Sequence, residues 1–288
     1  SGFLGTLISL ERAVALGRPW AYATPLLTGL GGVSLIVGAP LLAAQWLMLA
    51  GSLGLVAIFA AIIRRHPALY TFTMGGGSLV WALGNLLWCL GWPVFLVVFW
   101  WAAFLVVTIA GERLELARLQ QVTGAAQATF LLLLGILLTG LLLLGWSFDG
   151  GVRLFGLGLA GLALWLGRHD IARRTVKQAG LTRFIAICLL TGYVWLGISG
   201  LSAMWFGGVP VGPQYDATLH AFFLGFVFAM IFAHAPIIFP AVLGARIAYR
   251  PLFYAHVALL QVTLVARVIG DVSGWGAGRQ VGGLLNAV

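Results

Sequence analysis

Charge is what this sequence has least of. Asp, Glu, Lys and Arg make up 8% of its 288 residues, against about a quarter in a soluble domain. That is too little to coat a water-exposed surface, so a soluble domain is excluded. Negative charge is scarcer still, with seven Asp and Glu against sixteen Lys and Arg and a net charge of +9. There are two cysteines, Cys89 and Cys188. Both lie in apolar runs at a spacing that suits neither a disulfide framework nor a zinc site. No basic stretch precedes the first apolar run, so the start does not read as a signal peptide. Segment 1–17 reads as the inner part of a helix whose beginning is cut, and the chain also stops at Val288 within an apolar run.

What the sequence has in abundance is apolar length. Hydrophobic residues make up 61% of the chain and the mean hydropathy is +1.06. The apolar residues form repeated runs of roughly 18–22, which cross a bilayer core as helices. Forty glycines suit the close backbone approach of helices in lipid. The chain reads as an all-α integral membrane protein, a single transmembrane domain over 1–288 whose solvent is the lipid bilayer. About eleven helices are predicted, at roughly 1–16, 21–38, 41–63, 70–90, 93–111, 125–146, 152–167, 182–203, 217–243, 251–270 and 277 onward. Pro40, Gly91-Trp92-Pro93 and Pro251 mark breaks between them. The twelve tryptophans read as interfacial belt and packing residues.

The basic residues sit in short loops, which argues against nucleic acid as a partner and sets the orientation. With the first helix running outward to inward, 13 of the 16 basic residues fall inside: Arg12, Arg18, Arg64, Arg65, Arg113, Arg118, Arg168, Arg173, Arg174, Lys177, Arg183, Arg246 and Arg250. Arg153, Arg267 and Arg279 fall outside. This asymmetry assigns 12–18, 64–66, 112–118, 168–183 and 244–250 to the cytoplasmic side.

A weak internal repeat is present. FLGTLISLER at 3–12 aligns with FLVVTIAGER at 104–113, matching at Phe, Leu, Ile, Glu and Arg, and Phe223-Leu224-Gly225 echoes Phe3-Leu4-Gly5. The pattern predicts three pseudo-repeated four-helix units over about 1–91, 92–203 and 217–288, with twelve or more helices in the full chain. Chance similarity among apolar segments is the competing explanation.

Ionisable residues within membrane helices are costly and usually functional. His66 and His169 lie beside arginines in inner loops and read as solvated. His220 and His234 share one apolar helix, and His256 begins the next. The fourteen-residue separation puts His220 and His234 about 40° apart on one face of the helix and about 21 Å apart along its axis. That spacing suits axial ligands of two stacked haems, or one haem ligand and one ligand of a separate metal, since imidazole binds both iron and copper. His234 and His256 sit at similar depth on consecutive helices and are expected to converge facing the interior, at a small shared metal or as a hydrogen-bonded pair. Hydrogen bonding of each to neighbouring helices is the plainer alternative.

Around His220 the outer side collects Tyr215, Asp216, Arg267, Asp271, Trp275 and Arg279. Arg267 and Arg279 suit the anionic propionates of a haem, or else pair with Asp216 and Asp271 as ordinary interfacial residues. Glu11-Arg12 and Glu112-Arg113 read as local ion pairs that end their helices, or as gates or proton entry points.

These features carry a resemblance. His220-Ala221-Phe222-Phe223-Leu224-Gly225 through Met230 is similar to the helix of the haem-copper oxidase subunit I superfamily that begins with a haem-ligating histidine. GFLGTLISLERAVAL at 2–16 resembles the corresponding helix of NnrS-like membrane haem proteins and their relatives. The resemblance implies a bacterial inner-membrane protein that binds haem, of b type, at His220 with Arg267 and Arg279, with copper as the candidate second metal. It also implies a role in redox, electron transfer or nitric-oxide stress, with an electron donor or other membrane subunits as partners. The sequence departs from true oxidases. It has no adjacent histidine pair, it has His234-Ala235-Pro236 rather than a His-Pro-Glu motif, and Lys177 lies in a loop. The reading from a different class is a cofactor-free polytopic transporter, an assembly factor or a structural subunit of a larger membrane complex.

Overall fold

The computed structural model describes residues 2–117, 123–244 and 248–286. Arg118, Arg246 and the chain end at Val288, used in the sequence reading, lie outside the described residues. Those described are helical, with no strand among them. Every predicted helix is present. The long helices are α1 (Gly2–Leu16), α2 (Ala23–Ile36), α3 (Leu41–Arg65), α4 (Leu69–Cys89), α5 (Val94–Ala117), α6 (Gly124–Leu143) and α7 (Phe148–His169). A short α8 (Ala172–Thr175) leads to α9 (Gly180–Phe206). The next run is composite, with α10 (Pro213–His220), a π-helical segment (Ala221–Val227) and α11 (Phe228–Leu243). It is followed by α12 (Phe253–Ser273) and α13 (Gly276–Leu285).

Seven helices among the described residues are long and apolar enough to cross a membrane: α3, α5, α6, α7, α9, the run Pro213–Pro240, and α12. The protein is a multi-pass helical membrane protein. The other long helices fall short for visible reasons. The described parts of α1 and α2 have 15 and 14 residues. α4 is longer but diluted by Thr71, Thr73, three consecutive glycines, Ser78 and Asn85.

The chain forms two compact units, Ser1–Glu115 and Leu116–Val288. In the first, α5 packs against α1, α3 and α4. Trp81 of α4 stacks on Phe104 of α5 with ring centroids 4.6 Å apart, and a Cβ at Gly5 of α1 would lie 2.2 Å from the same indole. Polar side chains also bond across this unit. Thr6 donates to Thr28 at 2.9 Å, Gln45 to the Trp88 carbonyl at 3.0 Å, and the Trp101 indole to Asn85 at 3.0 Å.

In the second unit glycine sets the helix spacing. A Cβ at Gly140 of α6 would lie 2.3 Å from the backbone nitrogen of Phe155 on α7, and one at Gly200 of α9 would lie 2.6 Å from that of Ala160. Small residues let helices approach to this distance, where dispersion replaces the hydrophobic drive that lipid does not supply.

Candidate functional site

The polar residues that the sequence reading assigned to the outer side form one cluster in the second unit. The α12–α13 hairpin is tight: a Cβ at Gly270 would lie 2.5 Å from the Arg279 backbone nitrogen, and one at Gly282 would lie 2.8 Å from that of Arg267. This brings three charged side chains together. Arg279 donates to Asp216 Oδ2 at 2.9 Å, and its Nε lies 3.0 Å from Asp271 Oδ1. Arg267 Nε lies 3.9 Å from Asp271 Oδ2. The Asp271 side chain is fully buried, and neither of its oxygens accepts a hydrogen bond of good geometry among the described residues. Arg267 Nε is likewise without a hydrogen-bond partner among them. A buried carboxylate is tolerated only with compensating charge, which the two arginines provide. Beside them lies a cleft of about 660 Å³ lined by Arg267, Gly276, Arg279, Gln280, Gly283 and Leu284. Tyr215 is half-buried and Trp275 exposed.

His220 ends α10 and is half-buried. Its Nδ1 lies 2.6 Å from the Asp216 carbonyl. A proton on Nδ1 donated to that carbonyl leaves Nε2 as the acceptor nitrogen, the arrangement by which backbone carbonyls fix ligating histidines. His234 makes the same contact with Met230, at 2.6 Å. His169 does so with Trp165 at 2.9 Å while stacking on that indole. The contact therefore arises from helix geometry and does not by itself distinguish a ligand.

The helix carrying His220 and His234 is not uninterrupted, and this corrects their angular relation. The π-helical segment 221–227 lies between them. A π turn takes up about one extra residue, so His234 is rotated by about 100° from the position an unbroken α-helix gives it, and the two imidazoles no longer share a face. Gly225 lies within the segment, where a Cβ would meet Trp195 of α9 at 2.4 Å. The Trp195 indole donates to Gln261 of α12, so one indole joins α9, the π segment and α12. Gly225→Ala is expected to displace Trp195 and to cost roughly 1–3 kcal/mol, read as a lower unfolding midpoint in detergent. An unchanged midpoint would mean that the indole moves freely.

His256 also departs from expectation. It is exposed rather than turned to the interior. Neighbouring Phe253 and Tyr254 pack their rings on Phe184 of α9, at 5.8 and 5.3 Å. These contacts seat the start of α12 on α9. No group of three or more His, Cys, Asp or Glu residues among those described is placed to hold a metal ion.

In the first unit the two Glu-Arg pairs meet. Arg12 donates to Glu112 at 2.5 Å and lies 3.6 Å from Glu11. Neither pair ends its helix, since α1 continues to Leu16 and α5 to Ala117. The inner ends of α1 and α5 lie close enough for the Arg12 guanidinium to bridge them. The principal interaction is thus interhelical, where the sequence suggested a local one. One turn nearer the helix centres, the hydroxyls of Ser9 and Thr108 are buried without a hydrogen-bond partner among the described residues, as is the Trp81 indole nitrogen. Sequence reasoning missed this polar lining because serine, threonine and tryptophan are unremarked in apolar helices.

The family model described as "Domain of unknown function (DUF8744)" matches residues 1–288, and the chain belongs to that family. No curated protein and no solved structure matches it.

Proposed function

We propose that this DUF8744-family membrane protein is a bacterial inner-membrane haem protein related to the haem-copper oxidases, working in electron transfer or nitric-oxide stress. The observation that carries this reading is the outer cluster of the second unit, where a helix-borne imidazole with its Nδ1 anchored at 2.6 Å accompanies two arginines. The residues fit the group in kind. His220 would hold the haem iron through Nε2, and Arg267 and Arg279 would pair with its propionates. Arg267 lines the cleft of about 660 Å³, where its guanidinium can donate to an anionic oxygen. Haem iron would supply one-electron chemistry there. Asp216 fixes His220 through its carbonyl and Arg279 through its carboxylate, which couples the ligand to the propionate site. A second metal at His234 and His256 is not part of this reading, which rests on the cluster around His220.

Protein purified from cells grown with a haem precursor is expected to show a Soret band with sharpened α and β bands on reduction. His220→Ala is expected to abolish or shift them. A colourless protein from such cells, or a spectrum unchanged in His220→Ala, would reject the haem at this position and favour the cofactor-free transporter or structural-subunit reading.

A further inference from the structure

The first unit has a cavity of about 220 Å³ that the haem reading does not use. It opens at the end of α1, α3 and α5 that carries Arg12, Arg64, Arg65 and Arg113, the side to which the basic residues assign the cytoplasm. Its polar lining is Arg12, Arg65, His66, Tyr70, Thr71 and Glu115, and the remaining wall is apolar. Three observations bear on what it takes. First, the cavity is below the roughly 300 Å³ at which sites for drug-sized ligands begin, so it fits a headgroup-sized moiety and not a haem. Second, the local charge is positive. Arg12, Arg18, Arg64, Arg65 and Arg113 stand against Glu11, Glu112 and Glu115. Arg12 is already answered by Glu112, and its Nε has no hydrogen-bond partner among the described residues. Arg65 is exposed at the rim. Third, Tyr70 and Thr71 belong to the first turn of α4, whose leading N–H groups lack intrahelical acceptors and form the positive end of the helix dipole. Arg12, Arg65, a ring N–H of His66, the Tyr70 hydroxyl and the start of α4 therefore offer donors around one cavity, with Glu115 the one carboxylate of its lining.

We propose that this cavity binds a phosphate-bearing anion, either the phosphodiester headgroup of an anionic phospholipid or free phosphate. Basic pockets between membrane helices on the cytoplasmic side hold lipid headgroups in this way. Phe59, Ile62, Leu16 and Met74 in the wall give an attached glycerol and acyl stem an apolar surface. The site is independent of the haem proposal.

The test uses the whole protein in neutral detergent, with thermal stability and native mass spectrometry as readouts. Phosphatidylglycerol, phosphatidylcholine and inorganic phosphate are added separately. Arg65→Glu reverses a charge at the rim without touching the Arg12–Glu112 pair, and Arg250→Glu makes the same change at an exposed residue of the other unit. Phosphatidylglycerol is expected to raise stability and stay bound, with retention falling about fivefold or more in Arg65→Glu and unchanged in Arg250→Glu. Stabilisation by inorganic phosphate alone, lost in Arg65→Glu, supports the site with free phosphate as its source. Equal retention of phosphatidylcholine, equal losses in both variants, or no effect of either anion would overturn the proposal.

Discussion

Arg12→Leu is expected to destabilise the protein by about 3–5 kcal/mol, the cost of breaking a buried ion pair, and Glu112→Leu by somewhat less. The side chains of Arg12 and Glu112 are 14% and 17% exposed, and their 2.5 Å contact joins α1 to α5. The order of the two effects follows from Glu11, which lies 3.6 Å from Arg12. When Glu112 is removed, Arg12 keeps one carboxylate neighbour. When Arg12 is removed, both Glu112 and Glu11 lose its positive charge. The double variant Arg12→Leu/Glu112→Leu is expected to recover most of the loss, since replacing both charges with apolar groups is often neutral. The measurement is a double-mutant cycle on unfolding in detergent. Single variants within about 0.5 kcal/mol of the parent, the range of ordinary surface changes, would show that the pair is well hydrated and contributes little.

Gly200→Leu is expected to cost about 3 kcal/mol or more, at the upper end of overpacking effects. A Cβ there would lie 2.6 Å from the Ala160 nitrogen and 2.7 Å from the Gly156 oxygen. Both are backbone atoms of α7, so the clash can be relieved only by separating α7 from α9. Gly197 lies one turn earlier on α9 and serves as the control. A Cβ at that position would meet the Ala163 Cβ at 3.6 Å, an ordinary contact, so Gly197→Ala is expected to be neutral or to stabilise by up to about 1 kcal/mol through helix propensity. Thermal midpoints of the two variants decide the matter. Equal effects at Gly197 and Gly200 would mean that α7 and α9 do not approach as closely as the backbone distances require.

The helices were legible in the sequence because their signal is local. An apolar run bounded by Pro40, Gly91 to Pro93 or Pro251 is a helix whatever surrounds it. The polar positions facing the outer end were legible too, since Asp216, Arg267, Asp271 and Arg279 stand out against so apolar a background. Their pairing was not. Asp271 became the buried centre of the cluster because Gly270 and Gly282 let α12 and α13 close on each other. The angular relation of His220 and His234 was also out of reach. The run AFFLGFV carries no mark that distinguishes a π segment from an α-helix, and here the segment coincides with the packing of Gly225 under Trp195.

The sequence by itself determined the class of molecule, a helical membrane chain. Length and hydropathy fix whether a segment can leave water, and they are sums over neighbouring residues. It also marked the few ionisable groups set in apolar surroundings, since each is conspicuous there. Only the tertiary structure decided which of them meet. The first Glu-Arg pair reaches across to the second, so that Arg12 finds Glu112 rather than serving as a local cap. His256 is exposed while neighbouring Phe253 and Tyr254 engage Phe184, and His234 is rotated by the π turn. These outcomes depend on helix phase and interhelical distance. Both are set by side-chain packing between residues far apart in the chain, and no local sum contains them.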